Sequence, residues 1–344
     1  HSRSALVGDH EFWPADAEQP HHNPAFYTGS LDPSVYVTRD YADADTRLRA
    51  FNAYARAVPG AIAHIKANLA GPLDPNLIEY GINAFSGFAQ FYTGDARQAF
   101  AAATDPAAQA ELIAATDKAA AAMQGLADWL ESRKADARPG FALGAERFSR
   151  MLAATEMVDV PLAELEAIGR ADLARNQAAM KQACAAYAPG QSIPDCVGKM
   201  AMDKPEDGPV AEARRQLPEL RAFVAAHDLV SIPGTEQAKV EESPPYNRQN
   251  SAYIDIPGPY EKGLPSVCYI SPPDPNWSEE VRRDFVPAKK DLLFTSVHEV
   301  WPGHFLNFLH ANRSDSIFGR LFVGYAFAEG WAHYAEEMLW WAGL

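Results

Sequence analysis

Basic residues are scarce in this chain. Its 344 residues include 30 lysines and arginines against 45 aspartates and glutamates, and the formal net charge at pH 7 is −15. A protein that binds nucleic acid or an anionic membrane surface needs a basic face. The charge balance therefore argues against both of these partners and leaves a small or peptidic substrate open.

Long apolar runs are also absent from the sequence. Apolar residues make up 47% of the chain and charged residues 22%, which is ordinary for a globular protein. No run reaches the roughly 18 residues that a transmembrane helix requires, so we expect no transmembrane segment. The opening residues, HSRSALVGDHEFW, do not resemble a signal peptide. A mature exported chain would begin in the same way, so export stays open.

Only three cysteines occur, and no two of them form the C-x-x-C pair that is typical of cysteine-based zinc sites. Cys184 and Cys196 lie on either side of a Pro-Gly turn. In an exported protein they could close a small disulfide loop and leave Cys268 free, whereas the alternative is three unpaired thiols.

Helical patterning, by contrast, is abundant. Apolar residues recur at helical spacing over much of the chain between residues 45 and 228, and the Ala-rich stretch 105–134 is predicted to form one long helix. The first forty residues are rich in Pro, Asp and His and are predicted to be an extended surface segment. A proline-rich region between residues 240 and 277 contains two short β-like runs, SAYIDIP and SVCYISP.

These patterns predict a mainly α-helical protein with a small β insert just before the helix that carries the candidate site. Residues 1–239 would form a helical scaffold with the extended N-terminal segment. Residues 240–344 would hold the β insert and the site helices, within one continuous domain. The last predicted helix ends on the apolar sequence WWAGL. We expect a missing C-terminal part, or another chain, to cover that surface.

The segment HEVWPGH, residues 298–304, is similar to the H-E-x-x-H signature of zinc hydrolases, but its second histidine comes two positions later. On a straight helix His298 and His304 would be about 120° apart and about 9 Å apart along the axis, too far for one zinc. Pro302 would break the helical hydrogen bond to His298, and Gly303 would allow backbone angles that other residues resist. The chain can then bulge by two residues and return His304 to His298.

Glu299 follows the first histidine and would face the open side of a metal, where it could act as general base. Catalytic zinc sites usually have three protein ligands, and the last predicted helix offers candidates for the third. Its polar side chains recur at spacings of four, four and three and form one stripe on an otherwise apolar helix: Tyr325, Glu329, His333 and Glu336. Burial of such groups is costly without partners, which a metal and its surroundings would provide.

Each of these features also has an ordinary alternative. HEVWPGH could be a helix C-terminus with a histidine near the helix dipole. The stripe could be a solvated face or a hydrogen-bond network between helices. Because the two features lie close together in the sequence, a metal site explains both at once.

HEVWPGH and AEGWAHYAEE together resemble the H-E-x-x-P-G-H and A-E-G-W-A-x-Y-x-E motifs of the DUF885 family of bacterial proteins, relatives of the gluzincin zinc metallopeptidases. The segments NPAFY, LGAERFSRML and PPYNR are similar as well, so the resemblance covers most of the chain. It implies a multi-helix scaffold of the gluzincin and oligopeptidase kind. Family members tend to be longer at both ends, and we expect this chain to lack early N-terminal helices and a C-terminal helical part.

The resemblance implies that zinc is bound by His298, His304 and Glu329, with Glu299 as the general base. Four further side chains are assigned to the surroundings of the metal or to substrate binding: Tyr325, His333, Tyr334 and Glu336. The implied reaction is hydrolysis of peptide bonds in oligopeptides by metal-activated water. Because family members are commonly exported, often as lipoproteins, we expect a periplasmic or secreted protein, while a cytoplasmic location stays open.

Two other functions also stay open at this point. The chain could be a non-catalytic protein that binds peptides or other ligands on the same scaffold, or a metal-dependent hydrolase of a non-peptide amide. Glu299 argues against the first, because a scaffold without chemistry does not need that carboxylate. The oligomeric state is open as well. We further expect the strand SVCYIS to present an edge with which an extended substrate peptide could pair.

Overall fold

The computed structural model describes residues 2–244, 247–248 and 250–344. Contacts between residues divide the chain into two compact units. The first, which we call the site unit, comprises His1–Gly8, Ala145–Ser243 and Ser251–Leu344. The second, the helical unit, comprises Asp9–Gly144 and Pro244–Asn250. The division of the sequence at residue 239 stays a prediction.

Short helical segments come first along the chain. They are α1 (Ser2–Val7), a π-helical stretch (Gly8–Asp16), α2 (Gln19–His22), a 3₁₀ turn (Pro24–Tyr27), α3 (Thr28–Leu31) and α4 (Ser34–Thr38). After them the helical unit contains α5 (Ala44–Asn68), α6 (Pro75–Thr93), α7 (Asp95–Ala99), α8 (Pro106–Arg133) and a 3₁₀ turn (Lys134–Asp136), whereas α1 belongs to the site unit.

The prediction of an extended N-terminal segment is wrong. Phe12, Tyr27 and Leu31 in this region are buried. Pro20 and Pro24 stand in the first turn of short helices, where the N–H that proline lacks would have no helical partner in any case. The prolines therefore start helices here and do not keep the chain extended.

The long helices α5, α6 and α8 share one apolar core. Each begins after an aspartate whose side chain accepts a hydrogen bond from a backbone N–H of the first turn: Asp43, Asp74 and Asp105. Such a cap satisfies a donor that has no partner within the helix. The Ala-rich stretch forms the single helix α8, as its composition predicts, and α5 runs through Pro59 without ending.

The remaining elements follow from residue 144 onwards. They are α9 (Gly144–Met151), a π-helical turn (Leu152–Glu156), α10 (Leu162–Tyr187), α11 (Ile193–Ala201), α12 (Pro209–Ala226), β1 (Ala238–Glu242), β2 (Ala252–Asp255), β3 (Ser266–Ile270), α13 (Glu279–Phe285), α14 (Lys289–Glu299), α15 (His304–Ala311), α16 (Ile317–Leu321) and α17 (Tyr325–Trp341). The fold is mainly α-helical with a small sheet, which confirms the predicted class. In the described part of the chain no helix is long and apolar enough to cross a membrane.

The three strands form one sheet in the order β1-β3-β2, with β1 parallel and β2 antiparallel to β3. Cys268 in β3 pairs with Val240 on one side and with Ile254 on the other. The expectation that β3 presents an edge is therefore wrong, because it is the central strand. The five-residue β1 carries mostly charged side chains and did not stand out in the sequence as a strand.

The core of the site unit is formed by α12, the sheet, α14, α15 and α17. Its buried side chains include Leu217, Val240, Ile270, Val297, Leu306 and Leu339. This core fixes the two helices on either side of the HEVWPGH segment and the last helix against them.

A disulfide bond joins Cys184 at the end of α10 to Cys196 in α11, and the two Cα atoms are 5.8 Å apart. Cys268 is free and buried. Of the two arrangements that the cysteine spacing left open, the disulfide is therefore the one observed.

Candidate metal centre

The HEVWPGH segment joins two helices through a tight turn. α14 ends at Glu299 and α15 begins at His304. The backbone N–H of Gly303 donates to the carbonyl of Val297 at 2.9 Å, which folds the turn back onto the end of α14. The sequence predicted a bulge within one helix, but the helix breaks and restarts. The outcome for the histidines is the predicted one, since the ring centroids of His298 and His304 are 4.8 Å apart.

Gly303 is required by this turn for reasons of space. A Cβ atom at this position would overlap the carbonyl oxygen of His298 and would crowd that of Val297. The turn is also held from outside, because Trp331 Nε1 in α17 donates to the carbonyl oxygen of Pro302 at 2.9 Å. Trp331 belongs to the AEGWAHYAEE motif, yet its role could not be recognised before the turn and α17 were seen together.

Three predicted ligands converge at the turn. His298 Nε2 lies 3.4 Å from Glu329 Oε2, and His304 Nε2 lies 3.7 Å from Glu329 Oε1. One donor atom from each residue falls within 4.8 Å of the other two. Donors on a tetrahedral zinc with bonds of about 2.0–2.1 Å would be about 3.3 Å apart. The two histidine–glutamate distances are close to that spacing, so the two imidazoles and the carboxylate could hold a metal ion such as zinc.

α17 reaches the two histidines because its buried face is made of small residues. Ala328, Ala332 and Ala335 point into the core and are followed by Leu339. Their short side chains let the helix approach α14 and α15 closely. Glu329 lies beside this alanine stripe with a side chain that is 33% exposed. It can thus face the histidines from one side and remain open to solvent on the other.

Glu299, the residue after His298, is buried and only 8% exposed. Burial raises the pKa of its carboxyl group to about 7; His298 acts in the opposite direction, and Glu329 adds to the increase. The backbone N–H of Ile254 in β2 hydrogen-bonds to the carboxyl group and opposes the increase slightly. β2 therefore orients Glu299, and at neutral pH this group can both accept and release a proton.

The two histidines have unlike surroundings. His298 Nδ1 is 2.7 Å from Glu336 Oε1, and this hydrogen bond raises the pKa of His298. Burial lowers the pKa of His304, and the neighbouring His298 lowers it further. With Nδ1 of His298 donating to Glu336, Nε2 is left as an acceptor on the side of Glu329, which is the arrangement that carboxylate partners impose on metal-binding histidines.

Three further residues that the sequence assigned to the surroundings of the site, His333, Tyr325 and Tyr334, are more exposed than the candidate ligands. His333 Nδ1 is 3.2 Å from Glu336 Oε1, and the side chain is 71% exposed. Tyr325 is 74% exposed and Tyr334 is 50% exposed. Within the described residues, neither tyrosine hydroxyl hydrogen-bonds to a side chain of the site. Glu336 and His333 are thus next to the candidate ligands, whereas the two tyrosines face solvent.

An open cleft of about 720 Å³ adjoins the outer side of the site. It lies among α10, α14 and α17, and α10 contributes groups that no motif pointed to. Its polar and aromatic lining includes Asp172, Arg175, His333, Tyr334, Glu336, Glu337, Trp340 and Trp341. The sequence showed α10 as a helix but gave no signal that it approaches the site.

Comparison with known proteins supports the fold. None of the curated proteins is significantly similar to this chain. The structure of a candidate lipoprotein of unknown function from Shewanella oneidensis is 22% identical, with a TM-score of 0.68 over 98% of this chain and 64% of that one. For a candidate lipoprotein from Colwellia psychrerythraea the identity is 16% and the TM-score 0.69, over 91% of this chain and 58% of that one. The chain thus spans less than two thirds of the length of either protein.

Residues 3–344 match the family described as bacterial protein of unknown function, DUF885. The match extends over both units and includes HEVWPGH and AEGWAHYAEE. On this basis the chain belongs to the DUF885 family.

Proposed function

We propose that this protein is a zinc metallopeptidase that hydrolyses peptide bonds in oligopeptides. The observation that carries the proposal is the meeting of His298, His304 and Glu329 at zinc-ligand distances, with the buried carboxyl group of Glu299 beside the first histidine. A zinc ion bound there would polarise a carbonyl group and lower the pKa of water.

The surroundings of each candidate ligand determine the atom and the protonation state with which it would bind the metal. His298 would bind through Nε2 because its Nδ1 donates to Glu336. His304, whose pKa is lowered by burial, would bind as the neutral imidazole that a metal requires. Glu329 supplies the third ligand and closes the site from α17. Three protein ligands leave a position for the reaction, as in other catalytic zinc sites.

Glu299 would move the protons. Its carboxylate would take a proton from the attacking water molecule and deliver it to the amine that leaves. A pKa of about 7 suits both steps, since the group must accept the proton readily and give it up again. The hydrogen bond from Ile254 and the burial of the side chain keep the carboxylate in one position during this exchange.

We also propose that the protein is exported. The disulfide between Cys184 and Cys196 is a bond that forms and persists in oxidising compartments. The two solved structures described above belong to proteins described as candidate lipoproteins. A periplasmic or extracellular peptidase would meet oligopeptides as substrates.

The test is a mixed peptide library incubated with the zinc-loaded chain, with cleavage products identified by mass spectrometry. Wild-type protein is expected to cut peptides, and a chelator to stop it. Glu299→Gln should keep one zinc per chain but lose turnover by at least about 100-fold. Glu242→Gln, on the exposed part of β1, is the matched control and should behave as wild type.

Two results would contradict the proposal. If Glu299→Gln cuts peptides at the wild-type rate, Glu299 is not the general base. If the zinc-loaded wild type leaves every peptide intact, the chain is not a peptidase under these conditions of metal loading. Binding of peptides without cleavage would then favour the ligand-binding alternative, and cleavage of non-peptide amides alone would favour the other hydrolase.

A further inference from the structure

Glu336 is shared between two histidines. Its Oε1 atom is 2.7 Å from Nδ1 of His298 and 3.2 Å from Nδ1 of His333. The two imidazole rings are 5.0 Å apart, with an angle of 72° between their planes. One donor atom from each of the three residues lies within 4.8 Å of the other two. His298 therefore belongs to two clusters, since its Nε2 atom faces Glu329 and its Nδ1 atom faces Glu336.

We call His298, His333 and Glu336 the outer cluster and His298, His304 and Glu329 the inner cluster. The outer cluster is more accessible to solvent than the inner one. The side chain of His333 is 71% exposed and that of Glu336 is 32% exposed, whereas those of His298 and His304 are 16% and 12% exposed. His333 and Glu336 line the open cleft beside α17, and the carboxylates of Asp172 and Glu337 line it as well. A cation can therefore enter from solvent. Asp172 and Glu337 are both paired with the guanidinium of Arg175, which lines the same cleft, so Glu336 is the carboxylate that offers its charge to the ion.

The chemistry of the outer cluster suits a divalent cation. His333 and Glu336 are three residues apart on α17, so their side chains lie on the same face of the helix. Imidazole nitrogen and carboxylate oxygen are both zinc ligands. When His298 Nδ1 carries a proton it cannot bind a metal, so two protein ligands and water would hold the ion. Such a site should bind more weakly than one with three protein ligands.

We propose that His333 and Glu336, beside the Nδ1 edge of His298, form a second and weaker zinc site on the outer side of the metal centre. An ion at this site would be bound by the same Glu336 oxygen that accepts the hydrogen bond from His298. The two sites are therefore coupled, and filling the outer one loosens the hold on His298 in the inner one. The outer site itself exists whether or not the inner one supports peptidase activity.

The experiment is a calorimetric titration of the 344-residue chain, first freed of metal with a chelator, with zinc as the only ligand. Wild type is expected to show one tight and one weaker binding event. His333→Asn should lose the weaker event and keep the tight one, while His333→Asp, which returns a ligand oxygen, should recover it. His64→Asn, at an exposed histidine of α5, is the matched control and should match wild type.

Glu329→Gln separates this proposal from the proposed function. It should lose the tight event and keep the weaker one. If wild type shows no tight event, or Glu329→Gln leaves it unchanged, the assignment of the inner ligands fails and the outer site is judged on the His333 variants alone. A weaker event that persists unchanged in His333→Asn, or a wild type that shows the tight event alone, would overturn the outer site.

Discussion

At the scale of single residues, the unusual spacing of the two histidines depends on Gly303. The sequence indicated that a Pro-Gly pair could return His304 to His298. The structure adds the reason that no other residue serves at position 303, because a Cβ atom would overlap the carbonyl oxygen of His298. Backbone packing of this kind is invisible in a motif, since it involves main-chain atoms five residues away.

Gly303→Ala is accordingly expected to open the turn and to separate the two histidines. We expect the free energy of unfolding to fall by about 2 kcal/mol or more, together with loss of tightly bound zinc. Urea unfolding and zinc content per chain measure the two effects. Gly169→Ala in α10, where a Cβ atom meets no neighbour, should leave zinc binding unchanged and keep or raise stability. Equal effects of the two changes would contradict the role of Gly303.

Glu336 and Glu337 are neighbours in sequence but have different partners. Glu336 accepts from His298, whereas Glu337 forms an ion pair with Arg175 of α10. Spacing alone places Glu336, and not Glu337, on the predicted polar stripe of the last helix. The structure adds their partners, since Glu336 faces the candidate ligand His298 and Glu337 faces α10.

This difference can be tested with the pair Glu336→Gln and Glu337→Gln. Glu336→Gln should weaken the tight zinc site by about 10- to 100-fold, because loss of a carboxylate partner to a metal-binding histidine typically has that effect. Glu337→Gln should leave it unchanged. Competition with a zinc indicator dye measures both affinities. If the two variants bind zinc alike, His298 is not oriented by Glu336.

At the scale of elements, the sequence predicted the long helices and the helical character of the segments that carry the two motifs. Helical periodicity and Ala content are local properties, so α5, α6, α8, α10 and α12 could be predicted. The position of β3 in the sheet could not, because it depends on pairing with the short and charged β1. The N-terminal segment was misjudged because proline is compatible both with extended chain and with the first turn of a helix.

Asp74 connects two elements of the helical unit. It caps α6 through the N–H of Asn76 at 2.8 Å and accepts from the N–H groups of Gly140 and Phe141 at 3.0 and 3.2 Å. These backbone hydrogen bonds hold the pKa of Asp74 below its usual value, and the one from Gly140 has the largest effect. The group stabilises the fold only while it is ionised.

The folded-state pKa of Asp74 is lower than the unfolded one, so its contribution is complete above about pH 4 and is lost as the pH falls through the folded-state pKa. Asp74→Asn should therefore lower the free energy of unfolding by about 1 kcal/mol at pH 7. The difference from wild type should vanish at low pH. Urea unfolding between pH 2 and 7 measures it, with Asp128→Asn on the exposed face of α8 as control. A difference that is independent of pH would contradict the prediction.

At the scale of the whole molecule, the candidate site lies within one unit. The inner ligands come from α14, α15 and α17 and Glu299 is oriented by β2, all of which belong to the site unit. The candidate ligands could be predicted because HEVWPGH and AEGWAHYAEE are compact motifs. The contacts of Trp331 and Ile254 and the approach of α10 could not be predicted, because they depend on how the elements pack.

The central claim is that a single zinc ion joins His298, His304 and Glu329. The most direct measurement is an anomalous difference map at the zinc edge from crystals of the chain loaded with one equivalent of zinc. We predict one dominant peak about 2.0–2.1 Å from Nε2 of both histidines and within bonding distance of the Glu329 carboxylate. A map with no peak among these three residues, or with its dominant peak elsewhere, would contradict the claim.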